Sequence, residues 1–188
     1  GVEAEDKEIG KGAMAATIGV SLVFAVGLFF MVPVLASRAV ESPLGSDLLS
    51  NLVEGVIRLA LFLGYIYLIG QMGQIRRVFM YHGAEHMAVH THEAGLPLIV
   101  ENVRKFGTPH PRCGTAFLLT VVLVSIIVFA FLQRPPIEWR IISRIALVPV
   151  IAAFSYEIIR FSGAHQEAWF GRLMSQPGLI LQRLTTRQ

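Results

Sequence analysis

The chain concentrates four of its six histidines within eleven residues, in the run HGAEHMAVHTHE at positions 82–93. His82, Glu85 and His86 match the pattern H-x-x-E-H, an inverted form of a zinc-peptidase motif. On a helix, positions 82 and 86 lie about 40° apart on one face and about 6 Å apart along the axis, so both imidazoles can grip one ion. Glu85 is then a candidate general base for a water molecule activated by that ion.

The metal-binding face of this predicted helix extends beyond the motif. His90 lies about 40° further round and Glu93 falls between His82 and His86, so these four side chains share an arc of about 80°. His82 and Glu93 are about 16 Å apart along the axis, however, so one ion cannot bind all four. Either His90 and Glu93 serve a second ion or an outer shell, or some of these residues are not ligands. The remaining alternative is a set of solvated histidines, and Gly95 is expected to end the helix.

A further ligand is expected from the segment HPRCGT at 110–115, because zinc sites have at least three protein ligands. His110 and Cys113 both carry donor atoms, and Glu101 is another candidate. Arg112 and the predicted helix N-terminus favour the thiolate form of Cys113, which is then a ligand or a nucleophile. The alternative is a free thiol packed at the start of the helix.

The elements that must hold these residues are predominantly apolar. Of the 188 residues, 54% are hydrophobic and 15% are charged, whereas a soluble domain averages about 25% charged residues. Four segments are long and apolar enough to cross a bilayer as helices; they cover residues 14–36, 49–75, 115–133 and 141–161. The sequence therefore predicts an all-α integral membrane protein with about four transmembrane helices.

The predicted membrane domain covers residues 14–163 and includes the motif segment 76–114, which forms a His-rich juxtamembrane helix and loop. A polar arm, residues 1–13, precedes this domain. The tail, residues 164–188, is amphipathic and is expected to lie on the membrane surface as interfacial helices, interrupted by a Pro-Gly pair.

Positive charge predicts the orientation in the membrane. Eleven lysines and arginines lie in the arm, in the motif segment and in or next to the tail, whereas four lie on the opposite side: Arg38, Arg134, Arg140 and Arg144. Because cytoplasmic loops carry the excess of positive charge, both termini and the motif segment are expected in the cytoplasm. The net charge of +3 then indicates contact with membrane lipid and gives no sign of a nucleic-acid partner.

Ionisable residues also fall inside the predicted spans. Glu54 and Arg58 are four residues apart in the second span and form either a mutually paired couple or a functional intramembrane pair. Glu157 in the fourth span is either a functional carboxylate or an ordinary partner of Arg160.

Several short stretches carry a family resemblance: YHGAEH at 81–86, the glutamate of THEAG at 91–95, VENVR at 100–104, HPRCGT at 110–115, SYEIIR at 155–160 and PGLILQRLTTR at 177–187. These stretches resemble the YqhQ family of bacterial membrane proteins, a domain of unknown function described as predicted metal-dependent enzymes. The resemblance extends over residues 14–187.

The resemblance implies a set of motif residues in this chain: His82, Glu85, His86, Glu93, Glu101, Asn102, His110, Arg112, Cys113 and Glu157. Met87 departs from the family pattern, which commonly has lysine there, and this changes the charge near the site but not the ligands. Family members also carry an N-terminal region with a GGQAVIEGVMMRG-like stretch, which does not occur in this sequence. If that region supplies ligands or a lid, we expect the site to need it as a partner.

The residues and the resemblance together predict an enzyme of the bacterial cytoplasmic membrane that depends on a divalent metal ion, with zinc favoured. The favoured reaction is hydrolysis of a peptide or a lipid-derived substrate, with Glu85 and Cys113 as catalytic candidates. The alternatives are a metal transporter or sensor, and a non-enzymatic membrane scaffold or insertion factor with a structural metal. A second copy of the chain is a further candidate partner.

Overall fold

The computed structural model describes residues 10–38, 46–132 and 135–187. Most of the predicted arm and Arg134 lie outside the described residues. Within them the regular structure is helical, and no strand occurs. The helices are α1 (Lys11–Arg38), α2 (Asp47–Ile69), α3 (Gly73–Glu93), α4 (Val100–Val103), α5 (Gly114–Ala130), α6 (Ile137–Ala164) and α7 (Trp169–Thr185).

Three of these helices, α1, α2 and α6, are long and apolar enough to cross a membrane. The predicted span at 115–133 corresponds to α5, which is apolar but has 17 residues, fewer than the roughly 20 that a spanning helix needs. The all-helical membrane fold is thus confirmed for the described residues, with three candidate spans where the sequence predicted four.

The second predicted span, 49–75, is longer than the helix that the structure has there. Helix α2 ends at Ile69, and α3 begins at Gly73 after a short turn that starts at Gly70. Glycine at both ends favours this turn, because glycine has little helix propensity. The apolar composition continues across the break, so hydropathy alone does not reveal it.

Helix α5 lies at the centre of the bundle and packs against α2, α6 and α7. Phe62, Leu119 and Leu181 join α2, α5 and α7 in one apolar cluster. The predicted interfacial tail is thus amphipathic but packs on the bundle through one face. It is one helix and not two, because α7 continues through Pro177. At Gly178 a side chain would collide with Ala116, so this glycine allows α7 to approach α5 closely.

A buried group of ionised residues, here called the ion cluster, joins α2 to α6. Its members are Glu54, Arg58, Arg140 and Arg144, whose side chains are at most 4% exposed. Glu54 accepts hydrogen bonds from Nη2 of Arg58 at 2.8 Å and from Nε of Arg144 at 3.2 Å, and Arg140 also pairs with it. The charge comparison places Arg140 and Arg144 on the side of the membrane opposite the motif segment. In the structure their side chains are buried inside the bundle instead.

Backbone groups and a ring complete the ion cluster. Arg58 Nε donates to the Phe29 carbonyl at 3.0 Å, and this carbonyl is free of its usual helical partner because Pro33, four residues later, has no N–H. A π-helical turn, Gly27–Met31, lies just before that proline. Arg144 Nη1 has no hydrogen-bond acceptor among the described residues, and its guanidinium stacks 4.3 Å from the centre of the Phe129 ring.

Candidate metal centre

Helix α3 presents its histidines to two segments that fold back over one face. The first segment leads from α4 to α5 and carries His110 and Cys113; the second is the C-terminal end of α7. Donor atoms of His82, His86 and Cys113 all lie within 4.8 Å of one another, and we call these residues the first ligand group. The structure thus brings the H-x-x-E-H histidines to the cysteine of HPRCGT.

Backbone carbonyls orient both histidines of the first ligand group. Nδ1 of His82 lies 3.0 Å from the carbonyl oxygen of Thr185, and Nδ1 of His86 lies 2.5 Å from that of Thr108. In the tautomer that donates to these carbonyls, Nε2 of each ring keeps its lone pair for a ligand. Metal-binding histidines almost always use the other ring nitrogen in this way.

Cys113 has the environment of a thiolate ligand. It caps the N-terminus of α5, and its Sγ lies 3.2 Å from Nε2 of His82 and 3.1 Å from Oγ1 of Thr115. Burial raises the pKa of the thiol, but hydrogen bonds from His86, from Thr115 and from the first backbone amides of α5 outweigh this and lower the pKa to about 6. This lowered pKa favours the thiolate form of the sulfur.

Three further residues form a second ligand group one turn along α3: His90, Glu93 and His110 also bring donor atoms within 4.8 Å of one another. Nε2 of His110 lies 3.4 Å from Oε2 of Glu93, and Arg112 donates to Oε1 at 3.2 Å. Burial lowers the pKa of His110 more than its contact with Glu93 raises it. The two groups are adjacent, because the ring centres of His86 and His110 are 5.7 Å apart.

The C-terminal end of the chain positions both ligand groups, and sequence reasoning did not single out its residues. The buried side chain of Gln182 accepts from the His110 N–H at 2.7 Å and donates to the His110 carbonyl at 2.9 Å. Arg187 N–H bonds to the Phe79 carbonyl, and Gly83 leaves room for this crossing. The C-terminal partners in these contacts lie in the stretch PGLILQRLTTR. The family resemblance of this stretch was the available signal that its residues matter to the site.

The other predicted site residues do not belong to either ligand group. Glu85 is exposed on α3, and Glu101 is exposed on α4. Glu157 is exposed and pairs with Arg160 at 3.5 Å. Arg112 contacts the second ligand group through Glu93.

The first ligand group fits a zinc-type ion by its chemistry. It combines two imidazoles with one cysteine sulfur, and zinc binds both donor types. Three protein ligands are also the number found in catalytic zinc sites, which keep the fourth position for water or substrate. The second ligand group contains nitrogen and oxygen donors only.

Comparison with known proteins gives one family and one relative. The family described as "Protein of unknown function (DUF1385)" matches residues 1–188. "Uncharacterized protein YqhQ" from Bacillus subtilis (strain 168) is 36% identical over 174 residues, which are 92% of this chain and 55% of the relative. The chain thus spans about half the length of the curated relative that it matches. No solved structure matches.

Proposed function

The chain belongs to the DUF1385 family, and we propose that it is an integral-membrane hydrolase that depends on a zinc-type ion. The observation that carries this proposal is the first ligand group: His82, His86 and Cys113 bring their donor atoms within 4.8 Å of one another. Each histidine also has its other ring nitrogen on a backbone carbonyl, as expected of a ligand and not of a solvated histidine.

A zinc-type ion supplies Lewis acidity, which polarises a substrate carbonyl or phosphoryl group and lowers the pKa of water. The protein supplies orientation and proton transfer. Glu93 is a candidate to exchange a proton near this ion, because it contacts His110, whose ring centre lies 5.7 Å from that of His86. Cys113 serves as a ligand, because its sulfur and donor atoms of His82 and His86 all lie within 4.8 Å of one another.

A lipid-derived substrate fits the surroundings of the site better than a peptide does. An apolar groove of about 480 Å³ runs between α2, α5 and α7, with Leu63, Leu119 and Leu184 among its walls. Leu184 directly precedes Thr185, whose carbonyl orients His82, so the groove and the first ligand group share one segment. Arg183 lines the same groove and offers a positive charge to an anionic headgroup.

We propose that this site lies at the cytoplasmic face of the bacterial inner membrane. Both termini share that side if the 17-residue helix α5 crosses the membrane together with α1, α2 and α6. The argument is the excess of lysine and arginine in the motif segment and the tail. A transporter or sensor is less well supported, because the charged groups inside the bundle bond to one another and offer no converging ligands. A structural metal would need a fourth protein ligand to close the site.

Metal content tests the metal-binding part of the proposal. We expect the full chain, purified in detergent, to hold zinc at the first ligand group, and the double variant His82→Ala/His86→Ala to lose that ion. His92→Ala is the matched control, because His92 lies on the same helix, is exposed and belongs to neither ligand group. The proposal is wrong if the wild-type and double-variant proteins lack zinc alike.

Product formation tests hydrolysis separately. Zinc-loaded protein in vesicles of total bacterial lipid is expected to release a fatty acid or a headgroup, detected by mass spectrometry, and the double variant is expected to release none. Equal release from both proteins, or none from the wild type, would contradict hydrolysis of a membrane lipid while leaving the metal assignment intact.

A further inference from the structure

The second ligand group has the features of a binding site in its own right. His110 is 6% exposed, and its ring faces His90 with 4.8 Å between the ring centres. Glu93 completes the group from the last turn of α3, and the three donor atoms lie within 4.8 Å of one another. An imidazole pair with a carboxylate is a donor set that suits zinc, manganese or iron.

The orientation of His90 is an independent sign of ligand function. Its Nε2 lies 2.8 Å from the carbonyl oxygen of Pro109, so the ring donates there and keeps the lone pair of Nδ1. Phe106 stacks on the same ring at 6.1 Å between centres, with 16° between the planes. Three histidines at successive turns of α3 thus each use one nitrogen on a backbone carbonyl, which a row of solvated histidines has no reason to do.

Arg112 orients the carboxylate of Glu93 in this group. Its Nη1 binds Oε1 of Glu93 and leaves Oε2 toward His110. The backbone N–H of Arg112 also lies 3.2 Å from Nδ1 of His110, so Nε2 of that ring carries the proton it shares with Glu93. To bind an ion through Nε2, His110 must move this proton to Nδ1 and give up the hydrogen bond from Arg112 N–H, so binding here is expected to be weaker than at the first ligand group.

We propose that His90, Glu93 and His110 bind a second divalent metal ion, so that the centre holds two. This inference rests on the proposed function only for the first ion. Two neighbouring ions can clamp the attacking and leaving oxygens of one displacement, a common arrangement in enzymes that cleave phosphate esters. Together with the groove and Arg183, this favours a phosphate-containing lipid as the substrate class.

Cobalt titration distinguishes the two sites, because only the first contains sulfur. The metal-free protein is titrated with Co²⁺; a thiolate-to-cobalt charge-transfer band reports the first site, and total bound cobalt reports both. We expect two ions in the wild type, with the band complete before the second ion binds. Glu93→Gln and His90→Ala should each lose one ion and keep the full band, whereas Cys113→Ser should lose the band. Glu85→Gln is the matched carboxylate control and should keep two ions.

The outcomes separate this inference from the proposed function. Wild-type protein with one ion and a full band, unchanged in Glu93→Gln, would overturn the second site and leave the first intact. Bound cobalt without a charge-transfer band in the wild type would instead overturn the first site. A chelator that removes both ions at the same concentration would contradict the expected difference in strength.

Discussion

The ion cluster and the first ligand group are both polar groups in an apolar protein, but the hydrogen-bond partners of their polar atoms differ. In the ion cluster, Glu54 accepts hydrogen bonds from three arginines, so the charged atoms bond to one another. In the first ligand group, one ring nitrogen each of His82 and His86 forms a hydrogen bond with a backbone carbonyl. The other ring nitrogen is left for a ligand on the side of Cys113. The first arrangement joins helices, and the second leaves donor atoms for a ligand.

This difference shows that an ionised residue inside a membrane segment is not by itself evidence of function. Such residues are functional candidates by default, because burial in lipid is costly. Here the cost is met internally: Arg58 pairs with Glu54, and its Nε reaches the Phe29 carbonyl. The ligand groups lie where α7 ends and where the loop before α5 returns to α3, and there Thr185, Thr108 and Pro109 supply carbonyls that orient imidazoles.

Removing the central carboxylate of the ion cluster is expected to have the largest effect on stability. Glu54→Ala leaves the guanidinium groups of Arg58 and Arg144 without their carboxylate, and breaking a buried ion pair costs about 3–5 kcal/mol. Glu157→Ala removes an exposed carboxylate from an arginine pair on α6 and is expected to change stability by less than about 0.5 kcal/mol. Denaturant unfolding in detergent measures both.

The same variant tests whether the two polar regions are independent. The folded fraction of Glu54→Ala protein is expected to bind zinc with wild-type affinity, because the contacts that Glu54 makes lie within the bundle. Unchanged stability together with lost zinc would instead make the ion cluster part of the metal site, and the comparison drawn above would fail.

The C-terminal crossing over α3 offers a way to disturb the ligand group while sparing its ligands. A side chain at Gly83 would collide with the carbonyl oxygen of Arg187, so Gly83→Ala must displace the segment that carries Thr185. We expect a loss of about 1–3 kcal/mol in stability from this overpacking. Zinc affinity should fall about 10- to 100-fold, as for loss of a group that orients a ligand.

Gly73→Ala is the matched control for this prediction, since Gly73 also lies on α3 and has open space around it. It is expected to keep both stability and zinc affinity, measured by chelator competition. Equal affinity in Gly83→Ala and Gly73→Ala proteins would contradict a role for the Thr185 carbonyl in orienting His82.

Much of the fold follows from the sequence because apolar length and helical periodicity are local properties. The apolar segments predicted the main helices, and the expected stop at Gly95 agrees with the end of α3 at Glu93 and with the positive φ of 68° at Gly95. The break after Ile69 lay within apolar sequence and gave no such signal. The burial of Arg140 and Arg144 gave no local signal either, because their partner Glu54 is distant along the chain.

The candidate site, like the fold, could be predicted from the sequence only in part. Helical spacing brought His82 and His86 together, and the need for another ligand pointed to HPRCGT. The spacing alone left open whether His110 or Cys113 completes the first ligand group, since that depends on how the loop returns. The carbonyl of Thr185 lies 103 residues from His82, and a backbone group has no residue type to mark it. Metal binding itself stays a prediction.

Pro33 gives the smallest expected effect and the finest test of how the ion cluster is satisfied. Replacing a proline inside a helix by alanine ordinarily gains up to about 3 kcal/mol. Pro33→Ala restores an N–H that competes with Arg58 for the Phe29 carbonyl, so we expect a net change below about 1 kcal/mol, because a hydrogen bond from a charged group is worth about 1.5–3 kcal/mol. Pro149→Ala, at an exposed position inside α6, lacks this competition and should gain more. Equal stabilisation of both variants in denaturant unfolding would mean that Arg58 does not depend on the carbonyl that Pro33 leaves free.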